Sequence, residues 1–198
     1  MSSAITIDKI RAYKPLVTNW WSKYWPFALS FVVGLFTLSH YVTFAFNLTD
    51  SLPQKMFLVL KQEKVVRRGE FAAFPWEHDR PYPAGLTFIK QIGGEPGDVI
   101  TVDANREFSV AMKPYRNGIP GDGTAVTPET TSRSMGVAKK EGTVGSMRGV
   151  PLELGFTGTI PDGYFFMHEW SKDSLDSRYA LLGLIPKEKI IGRAIPLF

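Results

Sequence analysis

The residue types available for chemistry are few. The chain has no cysteine and three histidines, His40, His78 and His168. Thiol nucleophiles, Cys-held zinc and iron–sulfur clusters are thereby excluded. No His-Glu-x-x-His, Gly-x-x-x-x-Gly-Lys or Gly-x-Ser-x-Gly run occurs, so zincin, P-loop and nucleophile-elbow chemistry have no footing. Each histidine reads as structural or solvated; His168 would in principle serve a Ser-His-Asp triad, but nothing around it marks it as a base. No metal and no cofactor is expected.

Three segments remain. The first is Asn47-Leu-Thr-Asp-Ser-Leu-Pro-Gln-Lys-Met-Phe57, where Ser51 precedes Pro53 at the start of a strand; it is either a reactive serine or a polar residue in a turn. The second is Phe88-Ile-Lys-Gln-Ile-Gly-Gly-Glu-Pro-Gly-Asp98, where Lys90 closes an apolar run ahead of a glycine-rich turn. Burial disfavours an ammonium, and a lysine that yields its proton readily is what a general base near neutral pH requires. The third is Ser174-Leu-Asp-Ser-Arg-Tyr179, ahead of a closing strand Ile190–Ile195.

The elements that must position these residues are mainly β. Runs at 55–61, 70–74, 86–91 and 98–102 are short, apolar or alternating, and cut by Gly and Pro. Residues 106–163 hold many Gly, Pro, Ser and Thr and read as a loop-rich insertion, and 174–182 as a short helical turn. Upstream, no charged residue lies between Tyr24 and Thr49, and Pro26–Phe46 is mostly apolar. Twenty-one helical residues would rise roughly 31 Å, close to a bilayer core. Trp20, Trp21, Tyr24 and Trp25 sit at its N-terminal end, where amphipathic rings favour headgroups. One transmembrane helix over 26–46 is therefore expected, between a leader at 1–25 and an extracytoplasmic domain at 47–198.

The charge of +4 divides along the same line. The leader carries Lys9, Arg11, Lys14 and Lys23 against Asp8, net +3, and the rest is nearly neutral. By the positive-inside rule the leader stays in the cytoplasm and the domain lies across the membrane. A nucleic-acid partner is excluded, because no basic run or stacking-aromatic pattern accompanies the charge.

The ordered set resembles the signal peptidase I family of membrane-anchored serine-lysine proteases, and especially its conjugative branch, the TraF-type pilin peptidases. Ser51-Leu-Pro is similar to the nucleophile box, Arg68-Gly-Glu-Phe-Ala-Ala-Phe74 to the next strand box, Lys90–Asp98 to Lys-x-x-x-Gly-x-Pro-Gly-Asp, and Ser174–Arg178 to Ser-x-Asp-Ser-Arg. Two departures point to a specialised peptidase: Pro53 lies two places after Ser51, and His168-Glu-Trp-Ser-Lys172 stands where leader peptidases have Gly-Asp-Asn-Arg-Asp.

The resemblance implies a signal-peptidase-like β fold with Ser51 as nucleophile and Lys90 as general base. It implies that Ser174 orients the Lys90 amine, that Thr49 joins the Ser51 N–H at the oxyanion, and that Asp176 and Arg178 form a supporting ion pair. Gly94, Pro96, Gly97 and Asp98 would support the site, and substrate would lie as a strand beside Gly85, Leu86, Thr87, Phe88 and Ile89, near Pro53. Lys55 is the rival base, set aside because it begins a strand beside solvent. The implied substrate is a membrane-inserted conjugative pilin precursor, cleaved at the outer face of a bacterial inner membrane, with the lipid bilayer and other conjugation or secretion components as partners. Some members of this branch are associated with cyclisation of the product. A general leader peptidase, and a catalytically silent assembly factor of a type IV secretion system, are the competing readings.

Overall fold

The computed structural model describes residues 7–47, 52–112, 115–116, 119–120, 132–142, 148–169, 171 and 173–197. The chain divides into a helical unit, Met1–Tyr41, and a β unit, Val42–Phe198. In the first, α1 runs over Ile7–Tyr41, through Pro15 and Pro26, with its residues 22–41 exposed.

The apolar run expected to span as one helix over 26–46 is split. Its last five residues form β1 (Val42–Phe46), antiparallel to β2 (Met56–Leu60), from Val42↔Leu60 to Phe46↔Met56. Periodicity cannot separate helix from strand in a uniformly apolar run. Here the β-branched and aromatic residues Val-Thr-Phe-Ala-Phe meet a partner strand, with Phe44 and Phe46 turned outward. The apolar helical part is thereby cut to 26–41, about 24 Å of rise. Among the described residues no helix is long and apolar enough to cross a membrane, which corrects the expectation of a 26–46 span.

The strands that follow are β3 (Phe71–Pro75), β4 (Thr87–Gly94), β5 (Val99–Val102), β6 (Glu107–Ala111), β7 (Tyr115–Arg116), β8 (Ile119–Pro120), β9 (Ser132–Val137), β10 (Gly158–Thr159), β11 (Tyr164–His168), β12 (Ile185–Pro186) and β13 (Gly192–Pro196). A seven-stranded sheet has the order β1-β2-β13-β3-β4-β11-β12, a second sheet the order β10-β5-β6-β9, and β7 pairs with β8. All pairings between these strands are antiparallel. The mainly β class therefore holds.

The stretch 106–163 is more than loop. It supplies β6, β9 and β10 to the second sheet. β9 escapes a reading of its polar residues because Ser132, Arg133 and Ser134 face solvent, while Met135 is buried in the core. The register with β6 shifts between Phe108 and Ser109, where Met135 of β9 is the extra residue of a bulge. The segment 174–182 makes hydrogen-bonded turns, Tyr179 N to Asp176 O and Gly183 N to Tyr179 O.

Alternation along β4 sorts its side chains between two cores. Phe88 and Ile92 join Phe74, Phe165, Met167 and Ile185 on one face. Ile89 packs on the other face with Leu52, Phe57, Val59 and Ala73. Lys90 lies between Phe88 and Ile92, on the first face. A third cluster, with Phe108 stacked on Phe166 at 6.1 Å, fills the space between the sheets.

Candidate active site

β4 carries Lys90 into the interior, where the residue is 5% exposed. Ala72, paired with it across β3, is small enough to leave the lysine stem room. The Nζ atom lies 5.8 Å from the Phe88 ring centroid. Behind Phe88, Trp76 stacks at 4.9 Å and Tyr82 meets both rings edge-on. Burial raises the Tyr82 phenol, and Trp76 Nε1 donates to Tyr82 O at 3.0 Å. The amine thus sits at the border of an aromatic wall.

Three polar atoms close a triangle there. Lys90 Nζ donates to Ser174 Oγ at 2.7 Å, Ser174 Oγ donates to Glu169 Oε2 at 3.2 Å, and Lys90 Nζ pairs with the same Oε2 at 3.2 Å. All three residues are buried, Glu169 completely. The structure therefore brings Ser174 to Lys90, as the resemblance implies, and adds a carboxylate that sequence reasoning missed. Its only sequence signal is its place in the aberrant His168–Lys172 stretch.

The loop bearing these residues is held by a second buried pair. Arg178 Nε and Nη2 grip the two oxygens of Asp176 at 2.8 and 2.6 Å. Arg178 also donates to Ser171 O at 3.2 Å, Val137 O at 3.3 Å and Glu169 O at 3.5 Å. Burial pulls this guanidinium down, but the hydrogen bonds and charge of Asp176, with Tyr179 and Glu169, leave it raised overall. Asp176 Oδ2 accepts from Glu169 N at 3.2 Å, and Ser177 Oγ from Met167 N at 3.0 Å, so the loop folds back on the end of β11. His168 is buried against Gly93, where an added Cβ would lie 2.5 Å from its ring. Burial lowers its pKa to about 4, against the pull of Asp176 and with help from Arg178 and Arg133. The ring is thus neutral at neutral pH.

The turn after β4 is structural. Asp98, buried, accepts from Arg68 Nη2 and from Glu95 N at 2.8 Å. Gly97 has φ of 88°, which side-chain-bearing residues avoid, and its N–H bonds Ile160 O at 2.9 Å. A Cβ on Gly94 would lie 2.6 Å from Ile160 Cδ1. Gly94, Pro96, Gly97 and Asp98 thus form the corner that joins the two sheets just beyond Lys90.

Ser51 and Thr49 lie outside the described residues. Their neighbour Leu52 is buried in the cluster that includes Ile89, and Asn47 Nδ2 donates to Leu52 O at 3.0 Å and to Gln54 O at 3.2 Å. Leu52 thus shares a core cluster with Ile89 of β4, and Asn47 is held to Leu52 and Gln54. Pro53 and Lys55 are exposed.

β4 also offers an edge. It pairs with β3 over Thr87–Gln91, but with β11 only from Gln91 onward. Among the described residues no strand covers the other edge of Thr87–Lys90. Trp76 N bonds Leu86 O and Ile92 N bonds Glu70 O. By alternation Phe88 and Lys90 turn their backbone groups to β3, while Thr87 and Ile89 turn theirs to the open edge. Leu86 is exposed and Gly85 takes φ of 86° at the entry to the strand.

A curated relative from Pseudomonas fluorescens, "Signal peptidase I", is 24% identical over 150 residues, covering 67% of this chain. The chain spans about half the length of that relative, the match covering 49% of it. The family model described as "Signal peptidase, peptidase S26" matches residues 18–198, nearly the whole chain and every segment of the Lys90 site. The chain belongs to the peptidase S26 signal peptidase family.

Proposed function

We propose that the chain is a serine endopeptidase of the signal peptidase I type, with Ser51 as nucleophile and Lys90 as general base. The observation that carries this is the buried Lys90 amine, 2.7 Å from Ser174 Oγ, in a chain of this family. Lys55 is a poorer base because it is exposed.

In this scheme the neutral Lys90 amine takes the Ser51 hydroxyl proton as the oxygen attacks the scissile carbonyl carbon. The resulting oxyanion is met by the Thr49 hydroxyl and the Ser51 N–H. Collapse breaks the C–N bond, and the proton on Lys90 passes to the leaving amine. Water, activated by the same amine, then cleaves the acyl-enzyme ester. Substrate adds as a strand to the open edge of β4, bonding the backbone groups of Thr87 and Ile89.

The substrates in this proposal are membrane-held precursor proteins, and a conjugative pilin precursor is the favoured one. Ser51-Leu-Pro53 and the His168–Lys172 stretch, both unlike a general leader peptidase, support that choice. Cyclisation would follow if the precursor's own amine, rather than water, attacked the acyl-enzyme. The basic leader and the apolar end of α1 support membrane attachment with the β unit on the periplasmic side.

Co-expression with pilin precursors and with unrelated secretory precursors tests the proposal. Wild type should yield products of defined mass, and Ser51→Ala and Lys90→Ala none. Processing by both variants would refute the dyad, processing of many secretory precursors would favour a general leader peptidase, and no processing by wild type would favour a silent assembly factor.

A further inference from the structure

We propose that Glu169 is a positioning residue that keeps the lone pair of the Lys90 amine free, by fixing the direction of the Ser174 hydroxyl. The inference rests on the Ser51–Lys90 reading above. A serine hydroxyl has a single hydrogen. Because Ser174 Oγ gives it to Glu169 Oε2, it meets Lys90 only as an acceptor. A neutral amine has two hydrogens and one lone pair. One hydrogen is directed at Ser174 Oγ, and Glu169 Oε2 lies 3.2 Å from the same nitrogen. With Ser174 Oγ held as an acceptor, the lone pair is not drawn into that contact and stays available to accept a proton.

Without the carboxylate the Ser174 hydroxyl is free to turn and donate to that lone pair. The serine would then compete with the nucleophile it is meant to serve. Glu169 suits the task because a carboxylate only accepts, and it cannot rotate into a donor. Complete burial keeps water from replacing it. The same two contacts hold a side chain that otherwise has four rotatable bonds, so fewer unproductive rotamers compete.

The experiment measures kcat and KM of the full chain in detergent micelles, on a precursor peptide, for Glu169→Met, Glu169→Gln, Ser174→Ala and the Glu169→Met/Ser174→Ala double variant. Glu169→Met should lower kcat at least about tenfold, as loss of base positioning does, with KM nearly unchanged. Glu169→Gln, which keeps one acceptor oxygen, should recover most of the rate. In the Ser174→Ala background, where no hydroxyl can turn, Glu169→Met should cost clearly less than it does alone. Parental kcat in Glu169→Met, no recovery in Glu169→Gln, or equal factors in both backgrounds would overturn the inference. Should Glu169→Met not fold, Glu169→Asp decides: its carboxylate is drawn back by one methylene, so kcat should fall with KM held, and an unchanged kcat overturns the inference. Ser51→Ala and Lys90→Ala are run alongside. Activity in either defeats the dyad itself, whereas inactivity in both with a parental Glu169→Met defeats only the role given to Glu169.

Discussion

Two buried contacts between a basic side chain and a carboxylate lie in the β unit, and they are built differently. In Asp176–Arg178 the guanidinium grips both carboxylate oxygens and reaches toward three backbone carbonyls besides. Its hydrogen-bonding capacity is spent on holding a loop. In Lys90–Glu169 a flexible amine shares one carboxylate oxygen with a serine hydroxyl, and the nitrogen keeps a direction to spare. Burial is the same; saturation separates a clasp from a reactive group.

The contrast can be broken by substitution. The largest effect should follow Arg178→Met, which strands Asp176 and frees the carbonyls of Ser171 and Val137. The expected loss is about 3–5 kcal/mol, measured by urea denaturation. Replacing both partners, Asp176→Leu with Arg178→Met, should not recover it, because those carbonyls remain unserved. The other pair should behave differently. Lys90→Met with Glu169→Leu swaps a buried pair for apolar groups of similar volume and leaves only the Ser174 hydroxyl unserved, so it should lose clearly less stability than the Arg178 double variant. The same double variant should lose activity by about a hundredfold or more, as removal of a general base does. Equal stability losses in the two double variants would erase the distinction.

His168 gives a smaller effect, linked to pH. Its folded pKa of about 4 lies below the ordinary 6.5, so between these values the unfolded chain binds the proton that the folded chain refuses. Its contribution is fully present above about pH 6.5 and is lost as pH falls toward 4, by up to about 3 kcal/mol in all. His168→Gln should flatten the stability–pH curve over that window, as read by denaturation at each pH. An unchanged slope would mean that the ring is not buried neutral. Smallest of all should be Glu77→Gln, which breaks a surface pair with Lys189 and should leave the midpoint of unfolding unchanged within error.

Much of the β unit was legible because Gly and Pro punctuate it: the runs ending at Lys61, Phe74, Gln91 and Val102 correspond to β2, β3, β4 and β5. β1 was not, because Val42–Phe46 continues an apolar helical run and only its pairing with β2 makes it a strand. β9 was hidden for the opposite reason, since its first three residues face solvent and look like loop. At the site, Lys90 stood out as a charge in an apolar strand, and its proximity to Ser174 was suggested by resemblance. Glu169 could not be found that way. Its importance lies in which loop folds over β4, a property of the tertiary path set by Arg178 and Asp176 rather than of the residues around it.

The central claim is that Ser51 is made nucleophilic by Lys90. It is tested most directly by treating the full chain with an extended peptide ending in a phosphonate ester, which phosphonylates an activated serine, and locating the adduct by mass spectrometry of its fragments. The account predicts a single adduct on Ser51 in the wild type and none in Lys90→Met of unchanged thermal stability. An adduct on another residue, or equal labelling of Ser51 without Lys90, would contradict it.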